Sequence, residues 1–572
     1  MLKYPKIRGQ ESSSAAGKFT AAYRSCVNTR NDSLQLQVSL QRILRELGFQ
    51  DWPKTSKDSP GESHETIDDT LKKMGLRTFF DYYVQPQSKH PASKPTIIIS
   101  DGANLKRIEI NATSVGTEAS SANFTLRTML QKELGVINAT LDDGIRIILE
   151  YPDYYTGLRK FMSTVNNTNV VKNYVIWTYL RSLAEAEGTA PHDLYLTYKL
   201  NATNTARSSA SHHVAASCIK QLLKPDAMLS AGASLYIKHS FNKYDRNNVQ
   251  KMMHFVKASF GKIIAENKWM TVSMKTKAAQ RLAKMETVIG YPDWMLDNLA
   301  VNELYKFVPL LSENSSFAEY IFWIEENHRY QELLKLGSQY KEKEFSAVAF
   351  FPHPYYIERS DTLVLPAAVI VPHYRRPPVP RALNFGTIGA LASMLMVNAI
   401  DRFDTIRTTD YKGGFGGKIV TKEFWDEDTK RWFCQYSDCL KNEECNDSKK
   451  YVKAHGEAHL NDYVGLRMSF MALKGSVGNY TKPYLLPGGN FDTEDKIFFL
   501  SFGNLFCPFG ITKAFPTGRS DEPIRSQRRR SYRARLNSAV DGYYGFQKAF
   551  RCKGTVDMCK LFPQTVDNLN SE

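Results

Sequence analysis

Apolar residues recur every three or four positions over most of the first 345 residues, which is the spacing of one face of an α-helix. One such face is formed by four residues, Leu40, Ile43, Leu44 and Leu47. Gly48 follows them and is the predicted C-terminal cap of that helix, since glycine adopts the left-handed conformation in which many helices end. The pattern therefore predicts a largely helical N-terminal part.

Further helices are predicted later in the chain. The apolar spacing continues from Trp269 to Ile289, and Pro292 follows, which cannot continue a helix. Residues 383–400 form a weakly polar run that is shorter than the about 20 apolar residues of a membrane-crossing helix, so they predict a buried core helix. Another helix is predicted near residues 456–473.

Two short segments have the composition of β-strands. Residues 347–351 and 362–365 are apolar runs separated by Pro, Asp and Ser, and prolines follow at 366 and 372. Together with the helical patterns they predict a mainly α protein with a small β-sheet. A chain of 572 residues is longer than one core usually organises, so two or more lobes are expected.

The composition is that of an ordinary globular protein, with 42% hydrophobic and 23% charged residues. This balance excludes fibrous, collagen-like and largely disordered chains. The formal net charge is +16 and the pI is about 9.2, which is compatible with acidic partners, and the simpler interpretation is a solvated basic surface. Base-reading and zinc-finger motifs are absent, so no specific nucleic-acid partner is expected.

The densest positive charge lies near the C-terminus. It comprises seven arginines, Arg519, Arg525, Arg528, Arg529, Arg530, Arg533 and Arg535. Such a block is either a patch for sulfated glycans or an acidic membrane surface, or a solvated loop, and charge blocks are usually solvated.

Cysteines and glycosylation signals indicate an oxidising compartment. The chain has eight cysteines and no pair of Cys-x-x-Cys units, which favours disulfides over a zinc ribbon. Nine Asn-x-Ser/Thr sequons begin at Asn31, Asn111, Asn123, Asn138, Asn166, Asn201, Asn314, Asn446 and Asn479. We therefore expect an extracellular or cell-surface glycoprotein. The first residues lack an apolar signal segment, and we expect that the natural chain begins earlier.

Six segments, in order along the chain, resemble the neprilysin and endothelin-converting-enzyme family of zinc metallopeptidases. They are Tyr23 to Cys26, Trp269 to Asp293, Leu365 to Ala368, Ala382 to Gly389, Phe498 to Phe502 with Cys507, and Ala549 to Cys552 with Cys559. The resemblance implies two mostly helical lobes, with a thermolysin-like half in the C-terminal part. It implies an N-terminal domain over residues 1–335 and a catalytic-type domain over residues 336–566.

The resemblance also implies disulfides. Cys26 is expected to pair with Cys218, and Cys434 with Cys559. Cys439 and Cys445 lie in a local insertion and are close enough to bridge each other. In the family, the counterparts of Cys507 and Cys552 bond to a leading segment, so here they either pair together or have partners before residue 1.

The family's zinc motif is missing. Its zinc helix carries His-Glu-x-x-His, in which two histidines bind Zn²⁺ and the glutamate polarises the metal-bound water. Counting on without a gap from Gly389, those positions are Met394, Leu395, Met396, Val397 and Asn398. A thioether and a neutral amide thus replace the two imidazoles, and leucine cannot accept a proton.

Other catalytic positions of the family are altered as well. The third zinc ligand, a glutamate, aligns with Ala458, and the aspartate that follows it aligns with Asp462. A shift by one residue places Glu457 and Asn461 there instead. Val348 stands where the family has a substrate-binding asparagine, and no histidine follows His459 to stabilise the reaction intermediate. No cofactor is therefore expected, although the family uses zinc.

A second set of metal ligands is conceivable near the same place. His455 and His459 are four residues apart and would share one face of a helix, and Asp462 lies three residues further. Such short histidine pairs are weak evidence for a metal, and the simpler interpretation is two solvated histidines at a helix start.

Three functional hypotheses follow. The first is an inactive, extracellular pseudopeptidase that binds peptides or a partner protein, with residues 348, 350, 351, 394 and 396 lining the former cleft. The second is an active metallopeptidase that uses His455, His459 and Asp462. The third is a polyanion-binding glycoprotein, for which the peptidase fold is only a scaffold.

Overall fold

The computed structural model describes a little under two thirds of the chain. The described residues are 13–28, 33–53, 67–76, 79–85, 95–100, 107–110, 126–141, 145–150, 152–164, 168–184, 214–312, 314–337, 349–351, 353–357, 361–376, 379–400, 403–407, 419–436, 456–476, 493–507 and 532–552.

Helices dominate this part of the chain. In order, α1 to α20 are Ala15–Asn28, Ser33–Glu46, Ile67–Met74, Leu126–Gly135, Pro152–Thr164, Thr168–Ala184, Val214–Leu222, Leu229–Ser240, Lys243–Glu266, Val272–Lys284, Asn298–Glu303, Phe317–Leu334, Ala367–His373, Arg381–Asn384, Ala390–Met396, Glu427–Tyr436, Gly456–Gly475, Glu494–Asn504, Tyr532–Val540 and Tyr544–Phe550. The predicted mainly α class is confirmed.

The described strands form three small sheets. The strands β1 to β9 are Asp81–Gln85, Thr96–Ser100, Arg107–Ile110, Arg146–Glu150, Glu286–Gly290, Tyr355–Ile357, Thr362–Pro366, Phe403–Arg407 and Ile419–Glu423. The sheet orders are β1-β2-β4-β3, β5-β7-β6 and β8-β9, and the pairs β2–β4 and β5–β7 are parallel. The predicted strand at 362–365 is present, whereas the four-stranded sheet in the N-terminal part was not predicted.

Two compact units divide the chain, and their segments alternate in sequence. The first comprises residues 1–235, 293–347 and 409–418, and the second comprises 236–292, 348–408 and 419–572. The division into domains at residue 335 concerns the family's own domains and stays a prediction.

The first unit is built around α12, whose buried side chains include Phe317, Tyr320 and Phe322. This helix packs against α1, α2, α4 and α6, and the inner strands of the four-stranded sheet supply Ile97, Ile99 and other branched residues to the same core. The Cys26–Cys218 disulfide, which the resemblance implied, joins α1 to α7 across a sequence separation of 192.

The second unit is built around α17, which packs against α9, α15 and α19. Leu466, Met468 and Leu473 of this helix are fully buried. The predicted helix near 456–473 is thus confirmed, and its central position explains why it is apolar on nearly all sides.

Of two predicted helix ends, one lies where the pattern placed it and the other lies earlier in the chain. The α2 helix ends before Gly48, which has φ +76, as the pattern predicted. The helix predicted to reach Ile289 stops at Lys284, and residues 286–290 form β5 instead. Met285 and Ile289 fit helical spacing, but their segment pairs in parallel with β7, a contact between residues far apart in sequence.

The apolar run near residue 390 folds as one continuous helical rod. It starts with α14, passes through a π-helical turn at Phe385–Gly389 and α15, and ends in a 3₁₀ turn at Val397–Ile400. Among the described residues, Arg381–Ile400 is the helix with the length and composition to cross a membrane, yet 67% of its apolar window is buried within the protein. This burial agrees with a core helix.

Two further cysteines and two sequon asparagines have described side chains. Cys507 and Cys552 are exposed thiols that are not bonded to each other, so the alternative in which they pair together is wrong for this structure. Cys434 lies on α16, but its side chain is outside the description, as are Cys439, Cys445 and Cys559, so the pairs Cys434–Cys559 and Cys439–Cys445 stay predictions. Of the nine sequon asparagines, Asn138 and Asn314 are described, and both are exposed.

Candidate functional site

The α15 segment carries the positions at which the family has its zinc motif. Met394 is 9% exposed, Met396 and Val397 are buried, and Leu395 is half-buried. The interpretation of this segment as an apolar, packed helix is thus correct. The expectation that Met396 lines a ligand cleft is wrong, because it is fully buried in the core of the second unit. Phe350 is half-buried and Phe351 is 45% exposed.

A close helix crossing holds α15 in place. Gly465 of α17 faces Met394, and a Cβ atom built on Gly465 would lie 2.7 Å from the backbone nitrogen and 2.8 Å from the Cα of Met394. Contacts this short are not possible for real side chains, so only glycine permits the two backbones to approach this far. The crossing fixes the former zinc helix against the centre of the unit.

Substituting Gly465 by alanine is expected to destabilise the protein by about 1–3 kcal/mol, because the backbone of one helix must shift to admit the methyl group. The matched control is Gly475→Ala on the same helix, since nothing lies within 4 Å of its Cβ position. That variant is expected to be neutral or up to about 1 kcal/mol more stable. Urea titrations monitored by circular dichroism compare the stabilities of the two variants. Equal unfolding midpoints would contradict the close approach of α15 and α17 at Gly465.

Asp462 forms the most buried ion pair of the site. Its side chain is 3% exposed, and its carboxylate accepts hydrogen bonds from Arg535 Nε at 2.8 Å and Nη2 at 2.6 Å. Burial raises the pKa of Asp462, and the Arg535 hydrogen bonds oppose that rise; the same bonds raise the pKa of Arg535. Both carboxylate oxygens are therefore occupied by a permanent cation.

This pair corrects the interpretation of the basic C-terminal run. Arg535 lies on α19 and neutralises a buried carboxylate, so it does not belong to a free cationic surface. Arg533 on the same helix is exposed. The other arginines of the run, at 519, 525, 528, 529 and 530, lie outside the described residues. Sequence reasoning missed the pair because the two partners are 73 positions apart.

A second polar contact joins α17 to the turn that follows α15. Asn461 Nδ2 donates to Asn398 Oδ1 at 2.8 Å, so the amide at the last zinc-motif position is engaged by a neighbouring amide. Val348 and His455 lie outside the described residues, as do the side chains of Glu457, Ala458 and His459. Which of the two alignments of the third zinc ligand holds is therefore left open.

The described side chains do not fit a zinc ion at the family's position. Zinc in proteins is held by thiolate, imidazole or carboxylate, whereas Met394 offers a thioether, Asn398 an amide that is already bonded, and Asp462 a carboxylate that Arg535 fills. Within the described ranges, no three His, Cys, Asp or Glu side chains are grouped to hold a metal. No described group at this place is available to activate a water molecule.

Comparison with known proteins identifies the fold. Two models of peptidase family M13 match the chain. The model of the family's N-terminal part matches residues 110–292, and the second model matches residues 353–564. Together the two matched segments cover more than half of the chain.

Two curated relatives illustrate the match. Neprilysin-2 of Caenorhabditis elegans is 24% identical over 429 residues, which is 72% of this chain and 54% of the relative. Human endothelin-converting enzyme-like 1 is 22% identical over 63% of this chain and 45% of its own length. The chain thus spans about half the length of the curated relatives it matches.

Solved structures show the same fold. The Mycobacterium tuberculosis zinc metalloprotease Zmp1 in its open state superimposes with a TM-score of 0.64 at 16% identity, over 96% of this chain and 89% of Zmp1. PepO from Lactobacillus rhamnosis gives a TM-score of 0.57 at 13% identity, over 96% of this chain and 89% of PepO. The predicted neprilysin-like fold is confirmed.

Proposed function

The chain belongs to peptidase family M13, and from this premise we propose that it is a catalytically inactive member that binds peptides or a partner protein without cleaving them. The observation that carries the proposal is the state of Asp462. In one of the two alignments it stands at the aspartate that follows the family's third zinc ligand, and Arg535 holds both of its oxygens.

The chemistry of hydrolysis supports the same proposal. A zinc peptidase needs a metal that polarises the substrate carbonyl and activates water, together with a general base. Loss of a general base alone typically costs about 10²–10⁴ in rate. In this chain Leu395 stands at the base position, and Met394 and Asn398 stand at the ligand positions.

A binding role needs accessible surface, and the second unit offers an aromatic one. Phe351 is 45% exposed, and its ring lies 5.3 Å from that of Tyr355. Phe350 next to it contacts Tyr236 at 5.1 Å between ring centroids. Phenylalanine and tyrosine are enriched at protein interfaces, so exposed rings of this kind are suited to binding a peptide or a protein partner.

We also propose an extracellular or cell-surface location. Its support is the buried Cys26–Cys218 disulfide, which persists in oxidising compartments, and the exposed sequon residues Asn138 and Asn314.

Metal analysis together with a cleavage assay tests the proposal. Protein purified from a secretory host is expected to carry far less than one zinc per chain and to leave a mixed peptide library intact. The reason is the absence of a suitable donor set around Met394.

The control separates this proposal from the alternative of a rearranged site. If about one zinc per chain and chelator-sensitive cleavage were found, and both disappeared in the His455→Ala/His459→Ala variant, the protein would be an active peptidase built on those histidines. Zinc and cleavage that survive that substitution would contradict both hypotheses.

A further inference from the structure

Helix α6 in the first unit exposes a stripe of large apolar side chains. Val170, Tyr174 and Trp177 are 59%, 61% and 54% exposed. They are spaced by four and three positions, so they lie within one narrow sector of the helix, over about 10 Å of its length. We call these three residues the aromatic stripe.

The opposite side of α6 is buried. Val175, Ile176 and Leu183 are completely inaccessible, and the helix packs there against α3 and α12. A surface helix ordinarily has one apolar face toward the core and a polar face toward water. Helix α6 is apolar on both sides, which is typical of a helix whose outer side also meets an apolar environment.

The preceding helix has the same character. On α5, Phe161 is 59% exposed and Tyr154 is 38% exposed. Trp177 is also the single tryptophan among the large hydrophobic side chains that are exposed in the described part of the chain. Scattered exposed apolar residues are ordinary, but a concentration of them within two consecutive helices marks an interaction surface.

Charge distinguishes between possible occupants. Helices α5 and α6 contain four basic residues, Arg159, Lys160, Lys172 and Arg181, against one acidic residue, Asp153, which is exposed in the first turn of α5. The side chain of Lys172 is buried and its Nζ lies 3.8 Å from a carboxylate oxygen of Asp51, so Lys172 contributes little positive charge to the surface. Lys160 and Arg181 are exposed. Arg181 comes four positions after Trp177, so it lies on the same side of α6 as the aromatic stripe.

We propose that the exposed sides of α5 and α6 bind the surface of an anionic lipid membrane. Tryptophan and tyrosine have an apolar ring with a polar edge and concentrate at the boundary between lipid and water. Neighbouring lysine and arginine residues are attracted to acidic headgroups, and the basic residues of the two helices outnumber the single acidic residue by four to one.

The size of the stripe argues against a second copy of the chain as the occupant. Its three side chains expose about 300–400 Å² at their observed exposures, since large aromatic side chains have areas of about 150–250 Å² each. A stable protein interface buries about 800 Å² on each partner. Shallow insertion into a headgroup layer needs no such area.

Vesicle sedimentation tests the proposal. The purified full chain is expected to bind vesicles of equimolar phosphatidylcholine and phosphatidylserine, and to bind phosphatidylcholine vesicles far less.

Tyr174→Ser/Trp177→Ser is expected to lower the partition coefficient by at least about tenfold through lost apolar burial. Lys160→Gln and Arg181→Gln are each expected to lower it by about fivefold. The matched control, Leu299→Ser/Leu310→Ser, replaces exposed leucines of the same unit and is expected to change nothing.

A conservative variant gives an independent readout. Trp177→Phe is expected to keep vesicle binding and to lose most of the tryptophan quenching by lipids with brominated acyl chains. The proposal is overturned if the Tyr174→Ser/Trp177→Ser variant binds like the natural chain. It is also overturned if gel filtration shows a dimer that this variant abolishes, since the stripe would then join two copies.

Discussion

Replacing Arg535 by methionine is expected to destabilise the protein by about 3–5 kcal/mol at neutral pH, because it leaves the buried charge of Asp462 without a partner. The loss is expected to depend on pH. Burial already raises the pKa of Asp462 above its ordinary 3.8, and removing the cation raises it further. The stability of the variant therefore falls as the pH rises from about 3.8 to that raised pKa, and is constant above it.

Two further variants make this experiment decisive. Arg533→Met changes an exposed arginine on the same helix and is expected to alter stability by no more than about 0.5 kcal/mol. Arg535→Met/Asp462→Leu removes both charges and is expected to recover most of the loss, since an apolar pair often replaces a buried ion pair without cost. Urea titrations at several pH values provide the measurement. Equal stabilities of Arg535→Met and Arg533→Met would show that Asp462 does not depend on the pair.

Removing the Cys26–Cys218 disulfide by substituting both cysteines with alanine is expected to cost about 5 kcal/mol on the loop-closure account. The reason is the long loop that the bond closes, with a sequence separation of 192 between the cysteines, which strongly restricts the unfolded chain. Both cysteines are also buried, at 0% and 1% exposure, so the shortened side chains lose packing as well. The shift of the urea midpoint gives the magnitude.

The matched control for the disulfide uses the two exposed thiols. Cys507→Ser/Cys552→Ser changes the same number of cysteines without breaking a bond, and no more than a small change is expected. Under reducing conditions the natural chain is expected to lose the loop-closure part of this stability and to keep the packing that the alanine variant loses. A larger effect of the serine substitutions than of the alanine substitutions would contradict the assignment.

Local patterns predicted the elements that depend on local chemistry. The face formed by Leu40, Ile43, Leu44 and Leu47 and the cap at Gly48 correspond to α2, because periodicity and a positive φ are properties of one short segment. The apolar run before Ile400 was likewise recognisable as a core helix. The resemblance correctly implied the disulfide, which no local pattern specifies.

Non-local pairing explains what could not be predicted. Met285 and Ile289 carry the spacing of a helix, and only the parallel partner strand at Thr362–Pro366 turns their segment into β5. The run Ile97, Ile98 and Ile99 has a β-branched composition that favours a strand, and the prediction of a largely helical N-terminal part overlooked it. The Asp462–Arg535 and Asn398–Asn461 contacts join side chains from different elements, so only the folded chain reveals them.

The alternation of the two units along the chain has a consequence for the order of events during synthesis. Helix α9 has left the ribosome by about residue 266, but α17, against which it packs, begins at residue 456. At about 5–20 residues per second, the apolar face of α9 therefore waits roughly 10–40 s for its partner. Likewise, the first unit cannot complete its core until α12 has followed a stretch that belongs to the second unit. A nascent chain of this protein thus displays unpartnered helix faces for tens of seconds, which makes it a natural client of chaperones that shield apolar surface.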